Sequence, residues 1–316
     1  MKKIFLAAVA MVGILTSCNT QTDIVQSEVH SDYTQYVNPL MGTQSTFQLS
    51  TGNTYPAIAM PWGMNFWTPR TNRIGDGWQY TYTANKIFGF EQTHQPSPWI
   101  NDYGQFSLMP VTGQVEMDES KRASWFSHKG EVALPHYYKV YLAEYDVVTE
   151  MAPTERASMF RFTFPDADSY VVVDAYDRNS SIKVIPEENK IVGYTTRNSG
   201  GVPDNFKNYF VVVFDKPFTY KATFSNDVKP AKPDASVPVT LKEGQLEQTD
   251  FHTGAVIGFK TQKGEMVHAR VASSFISPEQ AELNLKELGN DSFDTIVEKG
   301  KNRWNEVLSK ADVQGA

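Results

Sequence analysis

The residues whose types and spacing could do chemistry lie in one stretch, from Asn38 to Gly104, where aromatic and short polar side chains alternate with glycine and proline. Glycine and proline fix irregular backbone, and loops on a rigid scaffold are a usual place for binding residues. An indole can cover the C–H face of a sugar ring, whereas amides and carboxylates hydrogen-bond paired hydroxyls. We therefore predict carbohydrate binding, with these candidate contacts: Trp67, Trp78, His94, Trp99, Asn101 and Asp102.

The tryptophans of this stretch have two interpretations. Trp62 and Trp67 lie in or beside apolar runs, which is typical of core residues. Trp78 follows a predicted Asp-Gly turn, which favours exposure. Trp99 follows two prolines that exclude a regular strand or helix, so this indole is expected to be either buried or used in binding.

The polar candidates also have structural alternatives. His94 could be a hydrogen-bonded core histidine, and Asp102 could cap a turn. A second glycine-rich loop, formed by Arg197–Gly201 and Asn205-Phe206, could close the same pocket.

The sequence contains none of the common motifs for nucleophilic catalysis, zinc binding or nucleotide binding. It lacks the G-x-S-x-G elbow, the H-E-x-x-H zinc motif, the P-loop and the G-x-G-x-x-G fingerprint. Its six histidines have no tight metal-ligand spacing and EF-hand loops are absent, so the sequence predicts no metal site. With 29 Lys and Arg against 36 Asp and Glu, the formal net charge is −7, which argues against nucleic acid as a partner.

The elements that must position the candidate residues are predicted to be strands. Polar and apolar residues alternate through 160–164 and 267–271, and the runs 170–173 and 209–214 are rich in β-branched and aromatic residues. Many short strands bounded by turn residues predict an all-β fold over residues 35–276, either a large antiparallel sandwich or a barrel.

Two helices are predicted to follow, over residues 277–316. Ser277 can cap the first helix, with Pro278 at its first position and Gln280 reaching back as in a capping box. Gly289 can end this helix in a left-handed conformation.

The second helix is predicted to begin at Asp291 or Ser292 and to carry one apolar stripe. Such a stripe must be buried, so either the helix packs back on the sheet or its partner lies outside this chain. The stripe is interrupted only near Gly300 and comprises Phe293, Ile296, Val297, Trp304, Val307 and Leu308.

The N-terminus has the pattern of a bacterial lipoprotein signal. A basic start precedes an apolar run from Ile4 to Leu15, too short to span a bilayer, and the run ends in Leu15-Thr16-Ser17-Cys18. We predict a signal peptide over residues 1–17, lipidation of Cys18, and a flexible polar tether over residues 18–34. The alternative is an ordinary signal peptide with a chance cysteine.

The residues around the predicted anchor carry two further expectations. Cys18 is the only cysteine, so its acylation would leave neither a disulfide nor thiol chemistry. Asn19 follows it where an aspartate would signal retention, which favours the outer membrane of a two-membrane bacterium, facing the periplasm or the surface.

The stretch that carries the candidate contacts resembles glycoside hydrolase family 92, the bacterial exo-α-mannosidases. The run from His94 to Trp99 looks like the α-1,2-mannosidase branch of that family. The motifs that carry the resemblance are Asn38-Pro39 with Gly42-Thr43, Gly52-Asn53-Thr54-Tyr55-Pro56, Pro61-Trp62-Gly63-Met64, Gly89-Phe90 with Thr93-His94, and Asp102-Tyr103-Gly104.

The resemblance implies an N-terminal β-sandwich, a helical linker and an (α/α)6 barrel, which together hydrolyse α-mannosides with inversion and with calcium. In the family, both catalytic carboxylates and the calcium ligands belong to the barrel, and the sandwich contributes loops to the sugar pocket. At 316 residues the chain is less than half the family's usual length. We therefore expect no catalytic residue and no calcium site in this chain, which would end in the linker.

Three functional hypotheses follow. The chain could be the N-terminal part of an exo-α-1,2-mannosidase that degrades mannose-containing glycans such as N-glycans, with the barrel supplied by a C-terminal domain or a separate chain. It could be a lipid-anchored mannoside-binding module without catalysis. It could also be a lipoprotein fragment without independent activity.

Overall fold

The computed structural model describes residues 32–44, 54–72, 79–94, 106–198, 200–229, 237–311 and 313. In this part of the chain, two antiparallel sheets of seven and nine strands make up most of the fold. With strands numbered in chain order, the seven-stranded sheet pairs in the order β1 (Phe66–Arg70), β3 (Gly89–Thr93), β4 (Ser107–Thr112), β10 (Ala167–Asp174), β17 (His252–Thr261), β14 (Tyr220–Asn226) and β15 (Thr240–Glu243).

The nine-stranded sheet lies across the core from the first. Its strands pair in the order β16 (Glu247–Asp250), β11 (Ser180–Ile185), β12 (Lys190–Thr195), β13 (Asn208–Phe214), β18 (Glu265–Ser274), β9 (Ala157–Phe164), β8 (Val147–Pro153), β7 (Tyr137–Leu142) and β6 (Val132–Leu134). A small third sheet pairs β2 (Lys86–Ile87) with β5 (Ser124–Trp125), and a short helix, α1, spans Glu119–Arg122. The predicted all-β sandwich is confirmed.

The core between the two sheets is largely aromatic. Trp67 of the seven-stranded sheet meets Phe160 of the other edge to face, with ring centroids 4.9 Å apart. Phe106, next to β4, stacks on Phe210 at 4.5 Å. Each of these side chains is at least 98% buried, and such burial stabilises the fold by about 2–3 kcal/mol per ring.

The strands that the sequence patterns predict are present. Residues 160–164 lie in β9 and residues 267–271 in β18, which pair antiparallel with Phe162 opposite Val267. The runs 170–173 and 209–214 lie in β10 and β13. The alternation of polar and apolar residues therefore located strands that turn one face to the core.

The helical segment after the sandwich also agrees with the prediction. Helix α2 spans Pro278–Leu285, and the Ser277 hydroxyl accepts a hydrogen bond of 3.1 Å from the backbone N–H of Gln280. A 3₁₀ turn over Lys286–Leu288 leads to helix α3, Phe293–Leu308, which Ser292 caps.

The apolar stripe of α3 packs back on the nine-stranded sheet. Phe293 and Ile296 are buried, and the Phe293 ring lies 6.4 Å from that of Tyr137 in β7. Trp304 donates a hydrogen bond of 2.8 Å from Nε1 to the carbonyl oxygen of Ala59. The linker is thus part of the packed structure.

Two details of the helix prediction are wrong. Gln280 does not reach back to the cap, because its amide donates instead to Asn284 Oδ1, one turn further on, at 2.9 Å. Gly289 has a positive φ of 48° but a ψ of −133°, since the helix tightens into the 3₁₀ turn before it ends.

The prediction that Trp62 belongs to the core is also wrong, because its side chain is 80% exposed. Pro61 and Trp62 are the central residues of a turn that Gly63 N–H closes on the Met60 carbonyl at 3.0 Å. Trp62 has a φ of 64°, which in such a turn is the position that favours glycine. The turn therefore presents the indole outward.

The described fold begins at Asp32, inside the segment that composition suggested was a tether. Asp32 caps a 3₁₀ turn, Tyr33–Tyr36, and forms an ion pair of 3.1 Å with Lys301 of α3. The backbone N–H of Tyr33 donates to Asn305 Oδ1 at 2.9 Å, so this segment is fastened to α3. Among the described residues no helix is both long and apolar enough to cross a membrane.

Candidate functional site

One end of the sandwich, called the rim here, collects the loops that sequence analysis singled out. At this end β3 finishes at Thr93, β12 finishes at Thr195, β13 begins at Asn208 and β18 finishes at Ser274. The described residues that continue from these strand ends are His94, 196–198, 200–207 and 275–277.

Three aromatic rings, His94, Phe275 and Phe206, form a row across the rim. The His94 and Phe275 ring centroids are 4.7 Å apart at an angle of 62°, and Phe275 and Phe206 are 5.4 Å apart at 32°. Phe275 is 41% exposed although it sits between the other two rings. The aromatic row thus offers solvent an apolar face, which is what a sugar C–H face requires.

The residues beneath the aromatic row form a buried hydrogen-bonded support. Asn65 accepts a hydrogen bond of 2.7 Å from Trp67 Nε1 and donates one of 3.1 Å to the carbonyl oxygen of Thr154. Thr93, next to His94, donates its hydroxyl proton to the Tyr55 hydroxyl at 2.7 Å. These bonds tie strands β1 and β3 to the segment around Tyr55 and to the turn at Thr154.

Trp67 belongs to this support and does not face the site. Its side chain is fully buried against Phe160 and Phe106, and Asn65 satisfies its N–H. A buried indole offers no face to a ligand, so the prediction that Trp67 contacts sugar is corrected. Its core interpretation is the one that the structure shows.

The second predicted loop is fixed at its base. Arg197 is 5% exposed and forms an ion pair with Asp177, and Arg178 donates from Nη1 to the Asn198 carbonyl at 2.5 Å. Phe206, at the far end of this loop, reaches Phe275 and through it His94. The structure therefore brings His94 and the second loop together.

The segment after β10 that braces this loop is strained. Three residues other than glycine have positive φ angles: Tyr176 at 58°, Arg178 at 70° and Asn179 at 72°. Such conformations cost roughly 1–2 kcal/mol each and persist only where surrounding contacts impose them.

For Tyr176, the surrounding contacts belong to a buried network of charged and polar side chains. Tyr176 is fully buried, accepts a hydrogen bond from Arg70 and shares one of 2.6 Å with Ser107. Its backbone N–H donates to Asp174 at 2.9 Å, and His252 contacts the same carboxylate oxygen at 2.7 Å. Arg70 is further paired with Glu91 and Glu119, and Arg122 with Asp174.

The network displaces the pKa of its members. Burial alone would raise the pKa of Asp174, but the charge of His252, its hydrogen bond and the charge of Arg122 together bring that pKa below its usual range. Burial alone would lower the pKa of His252, but Asp174 holds it above its ordinary value. Burial raises the pKa of Tyr176 well above the usual range, so this residue is a neutral hydrogen-bonding group.

The described carboxyl groups whose pKa is displaced do not have the raised pKa of a catalytic acid. Inverting hydrolysis needs one carboxylic acid with a raised pKa to protonate the leaving oxygen. Among described carboxyl groups whose pKa is displaced, every one is lowered: Asp32, Glu150, Asp174, Asp215, Glu265 and Glu279. The lowered pKa values keep these carboxylates ionised at neutral pH.

The described residues also contain no cluster of metal ligands. In the described ranges, no three His, Cys, Asp or Glu side chains converge to hold one. The calcium that the resemblance implies is therefore not assigned to these residues.

Several predicted contacts fall outside the described residues. These are Trp78, Trp99, Asn101 and Asp102, together with the lipidation candidate Cys18. Their roles stay predictions.

Sequence reasoning missed Phe275, the middle ring of the aromatic row. The available signal was two consecutive large apolar residues, Phe275 and Ile276, directly between a strand end and the Ser277 cap. An apolar pair at such a joint is either buried or used, and Ile276 is 78% exposed.

Residues 36–274 match the family model for the glycosyl hydrolase family 92 N-terminal domain. No curated protein resembles the sequence closely enough to match.

Solved structures of the same family are similar to this chain. The family GH92 inverting mannosidase BT2199 from Bacteroides thetaiotaomicron VPI-5482 is 44% identical, with a TM-score of 0.83 over 90% of this chain and 37% of its own. The family GH92 alpha-mannosidase BT3965 from Bacteroides thetaiotaomicron is 31% identical, with a TM-score of 0.77 over 90% of this chain and 39% of its own. BT3965 in complex with mannoimidazole matches with a TM-score of 0.76 at 31% identity, over 90% of this chain and 38% of its own.

The chain thus spans less than two fifths of the length of these relatives. Its sandwich and its motifs belong to their N-terminal part. The chain is a member of glycosyl hydrolase family 92 and carries the family's N-terminal domain.

Proposed function

We propose that this chain supplies the sandwich side of a mannoside-binding site in an exo-α-1,2-mannosidase that acts on mannose-containing glycans such as N-glycans. The observation that carries the proposal is the aromatic row, in which Phe275 joins His94 and Phe206 across the rim. One similar structure is an inverting mannosidase by name and another is an alpha-mannosidase by name, and the latter was also solved with mannoimidazole.

In this proposal the described side chains bind the sugar, and other residues carry out the catalysis. The aromatic row covers the C–H face of a mannose residue, while the buried support beneath His94 keeps the rings in place. The acid and the base of an inverting reaction come from outside the described residues. Calcium, where the complete enzyme requires it, is held there as well.

The linker helices suit a domain that must be held in a fixed orientation. Glu287, between α2 and α3, accepts hydrogen bonds from the Thr154 hydroxyl at 2.9 Å and the Arg156 backbone at 2.8 Å. It also pairs with the Arg156 guanidinium at 2.5 Å. We propose that the partner following α3 is the helical catalytic domain, in the same polypeptide or in a separate one.

The proposed location is the outer membrane, with the lipid on Cys18 and the fold in the periplasm or at the surface. The support is the signal pattern over residues 1–18. Mass spectrometry of the protein from a native-like host tests it. A diacylglyceryl mass at Cys18 is expected, and a chain with an unmodified residue 18 would contradict the anchor.

Titration with α-1,2-mannobiose tests the binding role, with Phe275→Ala compared against Ile276→Ala. Ile276 is the matched control because it is the next residue and is more exposed, at 78%. Loss of the Phe275 ring is expected to weaken binding about two- to tenfold, since an aromatic contact contributes roughly 0.5–1.5 kcal/mol. Equal affinities of the two variants and the wild type would refute the role of the aromatic row.

The second candidate function is binding without catalysis. It is favoured by the combination of an exposed aromatic row with carboxyl groups whose displaced pKa values are all lowered. Release of mannose from mannobiose, measured with the chain alone and with added calcium, separates the two. Turnover by this chain would reject the binding-only function.

A further inference from the structure

A polar cleft of about 350 Å³ lies at the lateral edge of the sandwich, away from the aromatic row. It opens where the two sheets end side by side, at β15 of the seven-stranded sheet and β16 of the nine-stranded sheet. Its walls include Ser225 and Lys242 on one side and Gln248 and Asp250 on the other.

The walls of this cleft are inward-facing positions of both sheets. Ser180 and Thr253 exchange a hydrogen bond of 2.9 Å across the core, so their side chains point between the sheets. Asp250 pairs with Ser180, and Ser225 pairs with Thr253, and directly opposed residues share a face. Asp250 and Ser225 therefore face each other across the gap between the sheets.

Polar residues at these positions contrast with the inward-facing residues further along the neighbouring strand. In β11, Ile182 and Val184 follow Ser180 on the same face, and both are apolar and buried. An edge could be closed by apolar residues at lower cost, because polar groups withdrawn from water require partners.

Several side chains of the cleft have donors or acceptors that no other described residue uses. Within the described part of the chain, Ser225, Lys242 and Asp250 have no side-chain hydrogen-bond or ion-pair partner. Gln248 donates to Gln245 at 2.5 Å, which keeps its own amide oxygen available. Hydroxyl, ammonium, carboxylate and amide groups thus converge on one space.

The charged side chains of the cleft disfavour ionic ligands. Asp227 and Asp250 repel an anion, while Lys242 in the same cleft disfavours a divalent cation. A neutral polyhydroxylated ligand suits the mixture, because each of its hydroxyls both donates and accepts. The volume lies at the lower end of the range for small-ligand sites, which suits about one sugar unit.

The cleft lies at the same end of the sandwich as the aromatic row. Between β3, which leads to His94, and β14, which carries Ser225, the sheet has four strand spacings, or about 19 Å. A glycan with several sugar units or a second branch can bridge that distance.

We propose that the cleft between β14, β15 and β16 is a second carbohydrate site, which holds a neutral sugar unit of a glycan whose end is at the aromatic row. The choice of mannose as the sugar and the position of the glycan end at the aromatic row rest on the proposed function. The cleft itself stands on the facing polar positions of the two edge strands.

Affinity electrophoresis of the full chain in gels containing yeast α-mannan tests the proposal. The cleft variant is Gln248→Ala with Asp250→Ala. The control variant is Glu247→Ala with Thr249→Ala, which alters the opposite face of the same strand, where Glu247 pairs with Lys183 and Thr249 with Ser181. Both variants are made in the wild-type and Phe275→Ala backgrounds, and their melting temperatures are compared.

The proposal expects at least a threefold weaker retardation for the cleft variant in both backgrounds, with the control variant unchanged. Should the cleft variant melt at a lower temperature, Asp250→Asn alone, which keeps size and hydrogen bonding, is expected to restore the fold and part of the binding. Retardation equal to the control variant, or no wild-type retardation, overturns the second site.

The same gels separate this inference from the proposed function. If Phe275→Ala alone abolishes all retardation, the aromatic row binds mannan and the cleft does not. If Phe275→Ala changes nothing while the cleft variant abolishes retardation, the second site stands and the role of the aromatic row fails.

Discussion

The ring of Phe275 lies 4.7 Å from that of His94, although the two residues follow strands of different sheets of the sandwich. Phe275 follows the last residue of β18, and His94 follows the last residue of β3. Their contact fixes the position of two strand ends and of the chain that leads into α2. The rim therefore joins the candidate sugar site to the linker helices.

Substitution Trp62→Gly is expected to stabilise the isolated chain by about 1 kcal/mol, because a glycine tolerates the φ of 64° without a Cβ clash. The melting temperature, measured by circular dichroism, is expected to rise by a few degrees. Met64→Gly is the control, since Met64 is also exposed and has no positive φ. A lower melting temperature for Trp62→Gly would show that the exposed indole stabilises this chain.

Substitution Asn65→Ala is expected to destabilise the chain by about 2–4 kcal/mol. It leaves the Trp67 N–H without its acceptor and removes the donor to the Thr154 carbonyl, and both groups are in the interior. Denaturant unfolding measures the change, with Asn302→Ala on the exposed face of α3 as the control. A free energy of unfolding equal to that of the control would mean that the support beneath His94 is dispensable.

His136 is expected to make the stability fall as the pH drops below 6.5. Burial lowers its pKa to about 4; Asp32 opposes this and Lys301 adds to it. Because the folded pKa lies below the unfolded one, the neutral ring's contribution is complete above pH 6.5 and is lost towards pH 4. The loss is about 3 kcal/mol.

The comparison variant for that pH dependence is His136→Gln. The difference in unfolding free energy between wild type and variant is expected to shrink as the pH falls from 6.5 to 4. His252 acts in the opposite sense, since its pKa is raised and its contribution is lost as the pH rises, but it is present in both proteins. A difference that is constant with pH would contradict the assignment of the neutral ring to His136.

The parts of the fold that local patterns determine were predictable. Alternation located β9 and β18, the Ser277 cap located α2, and the apolar stripe located α3. Each of these signals depends on residues close together in the sequence, whose periodicity or side-chain chemistry acts on the same element.

The parts that depend on contacts distant in sequence were not predictable. Trp62 looked like a core residue because its neighbours are apolar, but the turn at Pro61 directs it outward. Trp67 and His94 belong to the same motif-rich stretch, yet one supports the site from the core and the other lies in the aromatic row. Phe275 was missed because its role comes from its neighbours across the sandwich.

The most direct measurement of the central claim is an intermolecular nuclear Overhauser effect between the chain, with labelled phenylalanine, and α-1,2-mannobiose. We predict cross-peaks from the Phe275 ring protons to the C–H protons of one mannose face, and their disappearance in Phe275→Ala but not in Ile276→Ala. Binding with no cross-peak to Phe275 or Phe206, and with no change in their ring resonances, would contradict the claim that the aromatic row binds the mannoside.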